Sequence, residues 1–502
     1  SGEFSPKMDG RTDFEKYSSG AKTLENFLVH AQGAATRRVG TQFIAEVKSS
    51  AAKTRLIPFE FSTTQTYILE FGNTYIRFYK DKGQILDSGS AYEISSPYLT
   101  AELFDIKFAQ SADVMYITHP NHEVMKLSRT GHTSWTLAEV DFTDGPYLAT
   151  NSTTTTLTPA SAGVATGVNI TASAVTGING GAGFQTTDVG RIISFNSGKA
   201  KITSRTSTTI VVCTITTAFT DTSAKTDWNL GAFSDTTGHP SCVSFFEQRL
   251  VFAGTTDEPQ TLFFSKAGDY ENMTTGTNAD DAMVYTIASN QVNAIRYMKA
   301  VRTLVVGTTG GEFTVSADGT DASITPTNIT IKRQSSFGSA NVDAIPAGNA
   351  ILFLQKAKRK IRELQYNFDS DGYQAPDLTI LNETVTDTGI NEMSYQQEPG
   401  SNIWCVRDDG VLACLTYQRS ENVIAWSRHI FGGAFGSGKA VCESVATISG
   451  VLTEDEVWVI VKRTINGATK RFVECFSDFD FDETDANDFK FLDSHLSYSG
   501  SA

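Results

Sequence analysis

The sequence predicts a mainly β chain: a propeller of about six or seven four-stranded blades, carrying a small inserted β domain and a short N-terminal helical arm. Three observations predict it. The first is composition, with 32 Phe, 16 Tyr, 40 Gly and abundant Thr favouring strands and turns over helices. The second is a recurring hairpin shape, in which five to seven apolar or β-branched residues reach a polar or Gly-containing turn and a second alternating run follows. The third is a spacing near fifty residues, the length of one four-stranded unit.

The hairpin occurs seven times: QTYILEFGNTYIRFYK from Gln65, ADVMYITHPNHEVMKLSR from Ala112, QRLVFAGTTDEPQTLFFSK from Gln248, RTLVVGTTGGEFTVSAD from Arg302, NAILFLQKAKRKIRELQY from Asn349, SNIWCVRDDGVLACLTYQ from Ser401 and DEVWVIVKRTINGATKRFVECF from Asp455. Most are preceded by another strand-like run, such as RLIPFEFS or CVSFFE, and several are followed by a fourth, such as WTLAEVDF or IAWSRHIF. Successive starts lie 47, 136, 54, 47, 52 and 54 residues apart. The single long interval marks an insertion. Over residues 144–235, Thr and Ser make 30 of the 92 residues and five basic side chains balance five acidic ones, yet VNITASAV and STTIVVCTITTAF keep strand patterning. A separate β domain is expected there rather than a linker. The organisation is therefore an arm over 1–50, first blades over 51–143, the insertion over 144–235, further blades over 236–480 and a terminal segment over 481–502.

In the arm, residues 12–30 carry the helical pattern, with Leu24, Phe27 and Leu28 on one face and Gly33 placed as a stop. An apolar face outside the ring would need a partner. Phe14, Tyr17, Leu24, Phe27, Leu28, Arg37 and Arg38 are thus the candidate interface residues.

The formal charge of −15 opposes tight, sequence-independent nucleic-acid binding, which depends on cations releasing counterions from phosphates. It is compatible with a wall that lets DNA slide past. No apolar run reaches bilayer length, so no membrane insertion is expected. The polar start SGEFSPKMDGRTD lacks a signal-like apolar stretch, which leads us to expect folding in cytoplasm or in a virus assembled there.

Six cysteines without a close C-x-x-C pair read as reduced thiols. An Asp409-Gly410 turn would set Cys405 opposite Cys414, the one pairing open to a disulfide. SRTGHTSW from Ser128 approaches a sialidase-type turn but lacks its Asp, and reads as a hairpin with a packed Trp135. His119 and His122 have metal-like spacing around Pro120-Asn121, but no third ligand can be assigned and a solvated turn is expected. GTTGGEF from Gly307 lies in a hairpin and leads into no helix, so no phosphate loop is present. Asp478, Asp480 and Asp482 fail the calcium-loop pattern and read as a solvated strand end or an inter-subunit contact. Their natural partner is the basic turn KAKRKIR, with Lys356, Lys358, Arg359, Lys360 and Arg362. That turn is also the best candidate for touching phosphates, although no aromatic platform accompanies it. Nothing assembles into a catalytic, cofactor-binding or metal-binding set, and the expectation is a protein that is not an enzyme and acts by shape.

The opening EFSPKMDGRTDFEKYSSGAKTLENFLVHAQGAATRRVGTQFIAEV is similar to the start of nozzle, or tail tubular B-like, proteins of short-tailed bacteriophages. LIPFEFSTTQTYILEFG, QSADVMYITHP, KLSRTGHTSWTL, HPSCVSFFEQRLVFAGT with KAGDYENM, and LQYNFDSDGYQAPDLT with SYQQEPGSNIWCVRDDG extend the resemblance to some four fifths of the chain, with the Thr-rich insertion matching only loosely. The chain ends at LDSHLSYSGSA, where such proteins often continue into a further domain. The resemblance implies a virion component, six copies in a ring around the DNA exit channel, docked to an adaptor below the portal and lying near tail fibres or spikes. A glycan-binding or glycan-cleaving propeller for host-surface recognition is the alternative, and an intracellular scaffold propeller a third.

Overall fold

The computed structural model describes residues 2–288, 293–319, 322–369, 371–450, 454–479 and 489–496. Seven antiparallel sheets with a four-stranded core follow one another along the chain. Blade 1 contains Arg55–Ser62, Gln65–Gly72, Tyr75–Lys80 and Glu93–Ser95; blade 2 contains Lys107–Ser111, Val114–His119, His122–Gly131 and Ser134–Glu139. Blade 3 contains Cys242–Phe246, Arg249–Ala253, Thr261–Phe264 and Met283–Thr286; blade 4 contains Ile295–Ala300, Leu304–Thr308, Gly311–Ser316 and Thr330–Ser335. Blade 5 contains Ile345–Ala347, Ala350–Leu354, Ile361–Asn367 and Gly372–Gln374; blade 6 contains Ile390–Gln396, Asn402–Arg407, Leu412–Gln418 and Val423–His429. Blade 7 takes three strands from the end of the chain, Val441–Ile448, Glu456–Ile465 and Ala468–Phe476, and its fourth, Thr41–Glu46, from the beginning. All seven hairpins read from the sequence supply the middle two strands of a blade.

The middle strands are apolar on both sides because both sides are covered. Asn402–Arg407 and Leu304–Thr308 are buried at every residue. Alternation then distributes side chains between neighbours. In blade 6, Ile403 and Cys405 enter the core shared with blade 5, while Trp404 and Val406 enter the core shared with blade 7. Comparable cores join blades 1 and 2, 2 and 3, 3 and 4, and 4 and 5. The last joins Trp458, Ile460 and Val473 of blade 7 to Leu56, Ile68 and Tyr79 of blade 1. Seven cores for seven blades close the ring. The molecule is a seven-bladed β-propeller.

The register between middle strands answers the cysteine question. Cys405 faces Ala413 and Trp404 faces Cys414, because the loop from Arg407 to Leu412 is longer than the expected two-residue turn. The two thiols therefore point into different inter-blade cores, and all six cysteines are free and buried.

Between blades 2 and 3, the insertion forms its own six-stranded sheet in the order Leu157–Pro159, Val168–Ala172, Ile210–Thr217, Gly198–Arg205, Ile192–Phe195 and Asn229–Leu230. Its separate core includes Phe184, Phe195 and Trp228. Val168–Ala172 buries alternate residues and exposes Asn169 and Thr171, which explains the hydroxyl-rich composition as one wet sheet face. Lys199 reaches Asp144 at 2.6 Å, and Asp144 also accepts from Thr274 before blade 3's last strand at 2.7 Å, tying the insertion to the ring.

The arm departs from expectation. Instead of an α-helix over residues 12–30 there is a short 3-10 turn, Glu15–Ser19, and a strand, Phe27–Val29, paired with Ala35–Arg37. Asn26 has φ +61°, which breaks helical continuity, and Gly20 lies so close to the Phe4 ring that a Cβ there would clash. Competing tertiary contacts decide the outcome. Gly2 runs parallel to Trp426, Glu3 pairs with Arg428 at 2.7 Å, and Leu28 enters the core between blades 6 and 7. Among the described residues no helix is long and apolar enough to cross a membrane.

Trp404 measures how much one inter-blade core contributes. Its ring stacks on Phe476 at 5.2 Å, its Nε1–H donates to Gln396 at 3.0 Å, and it is fully buried. Trp404→Ala is expected to lower unfolding free energy by about 3–5 kcal/mol, since it removes apolar burial and leaves a cavity. Denaturant titration checks this; a loss under about 1 kcal/mol would mean that blades 6 and 7 do not share this core.

Candidate functional site

A propeller's axis is the first place to look for a site, and here it is filled with ion pairs. Arg55 of blade 1 bonds Glu392 of blade 6 through Nε at 2.9 Å. Its Nη1 donates to the carbonyls of Leu103 and Ile106 at 2.9 and 2.8 Å. Glu392 accepts further from Ser444 Oγ at 2.6 Å and the Val445 amide at 2.8 Å, both in blade 7. Lys107 of blade 2 pairs at 3.4 Å with Asp343, on the approach to blade 5, and Lys299 of blade 4 reaches the same carboxylate at 3.3 Å. Blades 1 and 6, like blades 2 and 5, are not neighbours in a seven-membered ring, so these pairs span the centre.

Burial opposes ionisation of Asp343, but Lys107 and Lys299 outweigh it and hold the carboxyl down at about 2. Glu443 is similarly occupied by Arg471 at 2.6 Å and Lys462 at 3.1 Å. Lys53, whose Nζ lies 3.9 Å from the Phe104 ring centroid, has its pKa lowered by burial against the opposing pull of Glu443 and Glu392. Asp343, held in this way as an anion, is poorly suited to donate a proton.

A second cluster lies where blade 1 leads into blade 2. His119 and His122 face each other across the Pro120-Asn121 turn, with ring centroids 5.0 Å apart. Glu102, from the connecting loop, accepts from His122 Nε2 at 2.9 Å and from the Leu99 amide at 2.8 Å. His119 is only 2% exposed, and burial, followed by the nearby His122, lowers its pKa. The turn is thus packed rather than solvated, and Glu102 is the third group that sequence spacing could not supply.

A cleft of about 500 Å³ separates blade 2 from the insertion, lined by Glu123, Glu139, Arg191, Lys201, Phe233 and His239 among others. Glu123 shares a hydrogen bond with Glu139, and burial together with this neighbour raises its pKa to about 7. Two carboxyls in direct contact are closer than the glycosidase separations of roughly 5–9.5 Å.

The remaining sequence candidates are dispersed. In the basic turn, Lys358 bonds Asn391 at 3.0 Å, Lys360 pairs with Asp377 at 2.8 Å, and Arg362 stacks over Phe337 at 3.4 Å; Lys356 and Arg359 are exposed. Within the chain Asp478 pairs with Lys82 at 2.6 Å and not with that turn, whereas Asp480 and Asp482 lie outside the described residues. Of the arm residues, Phe14 and Phe27 are 38% and 41% exposed, Arg37 is exposed over the Phe491 ring, and Tyr17 and Leu24 are half-buried. Leu28 and Arg38 are buried and so cannot serve a partner directly. Arg38 is held by Asp493 at 2.7 Å and by the Ile430 carbonyl at 3.0 Å, because its guanidinium fork fits acceptors that the folded arm brings together. Trp135 packs against Phe59, Tyr67 and Phe78 beside the Gly131–Ser134 turn, as the hairpin reading required.

No protein-family model and no curated protein matches the chain. Among solved structures it is similar to U3-55K, at 7% identity over 87% of this chain and 100% of that one, with a TM-score of 0.41. It is also similar to YCF48 bound to D1 peptide, at 8% identity over 88% and 96%, TM-score 0.39, and to the C-terminal WD40 domain of Sif2, at 8% identity over 88% and 100%, TM-score 0.37. These likenesses concern the fold alone; the propeller assignment rests on the seven sheets and their seven shared cores.

Because the folded-state pKa of Asp343 lies below the ordinary 3.8, its stabilisation is full above about pH 4 and is lost as pH falls through about 2. Asp343→Asn is expected to cost about 2 kcal/mol or more at pH 7, with the gap to wild type closing between pH 4 and 2. Urea titrations across that range check it. A pH-independent gap would show that Lys107 and Lys299 do not stabilise the charged form.

Proposed function

We propose that the chain is a structural subunit of the tail of a short-tailed bacteriophage, present in the virion as six copies around the DNA exit passage. The carrying observation is the filled axis: ion pairs between non-neighbouring blades make each propeller a closed disc, so a passage wide enough for duplex DNA has to form between copies. The stretches that resemble nozzle proteins fall on the strands and connecting loops of this disc and on its arm. Disc edges meet sister copies, the arm and the insertion offer attachment to the adaptor and to fibres or spikes, and the acidic surface lets DNA through without retaining it. No catalytic step is assigned, since the axial carboxylates are neutralised by paired cations.

The cleft beside Glu123 supports the second reading, a glycan-binding propeller, because Phe142 and Phe233 line it together with polar groups. Native mass measurement of the purified protein, with immunogold labelling of intact particles, separates the two. A sixfold species and label at the tail are expected; a monomer that binds oligosaccharide and leaves tails unlabelled would overturn the tail assignment.

A further inference from the structure

We propose that Glu102, His119 and His122 bind a divalent transition cation of the Zn²⁺ class, which staples the loop leaving blade 1 to the middle hairpin of blade 2. This holds whether or not the tail assignment does. Each of the three residues offers one ligand atom, and these atoms lie within 4.8 Å of one another. Two histidines and a carboxylate match the nitrogen-rich, borderline-soft sets that select zinc-like ions over calcium or magnesium.

The backbone builds the set. His119 and His122 are cross-strand partners at the mouth of a two-residue turn, so their side chains leave the same face of the sheet. Glu102 stands just before the 3-10 turn Leu103–Asp105, where the Leu99 amide orients its carboxylate. A second, independent observation points to a missing ligand: His119, 98% buried by its 2% exposure, leaves Nε2 with no hydrogen-bond partner. A buried ring nitrogen of this kind is costly to leave unmatched. Tyr98, fully buried and edge-on to His122 at 5.2 Å, likewise has an unpartnered hydroxyl.

Tetrahedral zinc with bonds of about 2.1 Å would hold its ligand atoms about 3.4 Å apart, so the half-buried Glu102 and His122 must rotate slightly as the ion enters. For His122 to ligate through Nε2, the proton now on that nitrogen moves by way of solvent to Nδ1 of the same ring, so the imidazole stays neutral and its hydrogen bond to Glu102 is exchanged for the metal bond. Coordination through His119 Nε2 places that ring's proton on Nδ1 and gives up the 3.2 Å contact from the Asn121 amide. The two histidine protons are adjusted in this way without any oxidant or co-reactant. The fourth position is left to water.

The test uses the full-length, tag-free chain, dialysed against chelator and titrated with Co²⁺ and Zn²⁺ by visible spectroscopy and calorimetry. One equivalent of Co²⁺ is expected to bind with a d–d spectrum of four- or five-coordinate geometry, to be displaced by Zn²⁺, and to raise the melting temperature. His122→Ala and Glu102→Gln, both at half-buried positions, should weaken binding at least about tenfold to a hundredfold, while His30→Ala, outside the cluster, should leave it unchanged. Absence of stoichiometric binding at micromolar protein, or binding undiminished in both Glu102→Gln and His122→Ala, would overturn the proposal.

Discussion

Every blade of this chain has two apolar faces, and that constraint governs the rest of the structure. A sheet with one apolar face can be finished by a layer on one side; a sheet such as blade 6, with Ile403 and Cys405 on one face and Trp404 and Val406 on the other, cannot. Its only relief is a neighbour on each side, and those neighbours have the same need. An open row of such sheets would leave two bare faces of aromatic and aliphatic side chains at its ends. Closing the row removes both, and the core between blades 7 and 1 accomplishes this.

Closure by hydrophobic contact alone would leave the chain ends free to peel. The N-terminal strand Thr41–Glu46 prevents this by hydrogen bonding along Ala468–Phe476, so that one sheet is assembled from the two ends of the ring. Thr41 Oγ1 donates to Glu474 at 2.6 Å, and the same carboxylate is gripped by Arg463, which places charged pairing beside the joint. Arm residues just before this strand are consequently drawn onto blades 6 and 7. That is the physical reason that residues 12–30 do not fold as an independent helix: the local pattern of Leu24, Phe27 and Leu28 is outweighed by contacts whose partners lie some 400 residues away. Intrinsic helix preference is a weak term against such burial.

The division between what was legible in the sequence and what was not follows from range. Hairpins are local objects, with strand, turn and strand contiguous, and all seven could be read from alternation and turn residues. The insertion was legible because its composition changes over a whole domain. Loop length defeated the Cys405–Cys414 pairing, since one residue of register exchanges the two faces of a strand. The axial ion pairs were beyond reach for a different reason: Arg55 and Glu392 are 337 residues apart, and only the ring's geometry makes them meet. Glu102 was missed in the same way. It is 17 residues before His119 with a strand and loop between, so no spacing rule connects it to a histidine hairpin.

The filled axis also constrains where the net charge of −15 resides. Several buried cations and anions pair off, Arg55 with Glu392, Arg471 with Glu443, Arg463 with Glu474 and Arg191 with Asp188, whereas buried Glu70 and Glu312 are held by hydroxyls with their pKa raised by burial, and Arg249 by backbone carbonyls. Burial without pairing would cost several kcal/mol per charge, so the interior is kept close to neutral. The insertion is also neutral by count. Among the described residues the excess acid is therefore carried on the outer surface of the ring and its loops, where water and counterions solvate it. Copies of such a disc repel one another at long range and can associate only where shape and local contacts outweigh that repulsion within a Debye length of about 8–10 Å. The same repulsion is felt by phosphate. In the ring we propose, a passage bounded by these outer surfaces would be held open by hydration and would offer a nucleic-acid backbone few cations on which to stick, which is the behaviour that proposal requires of its wall.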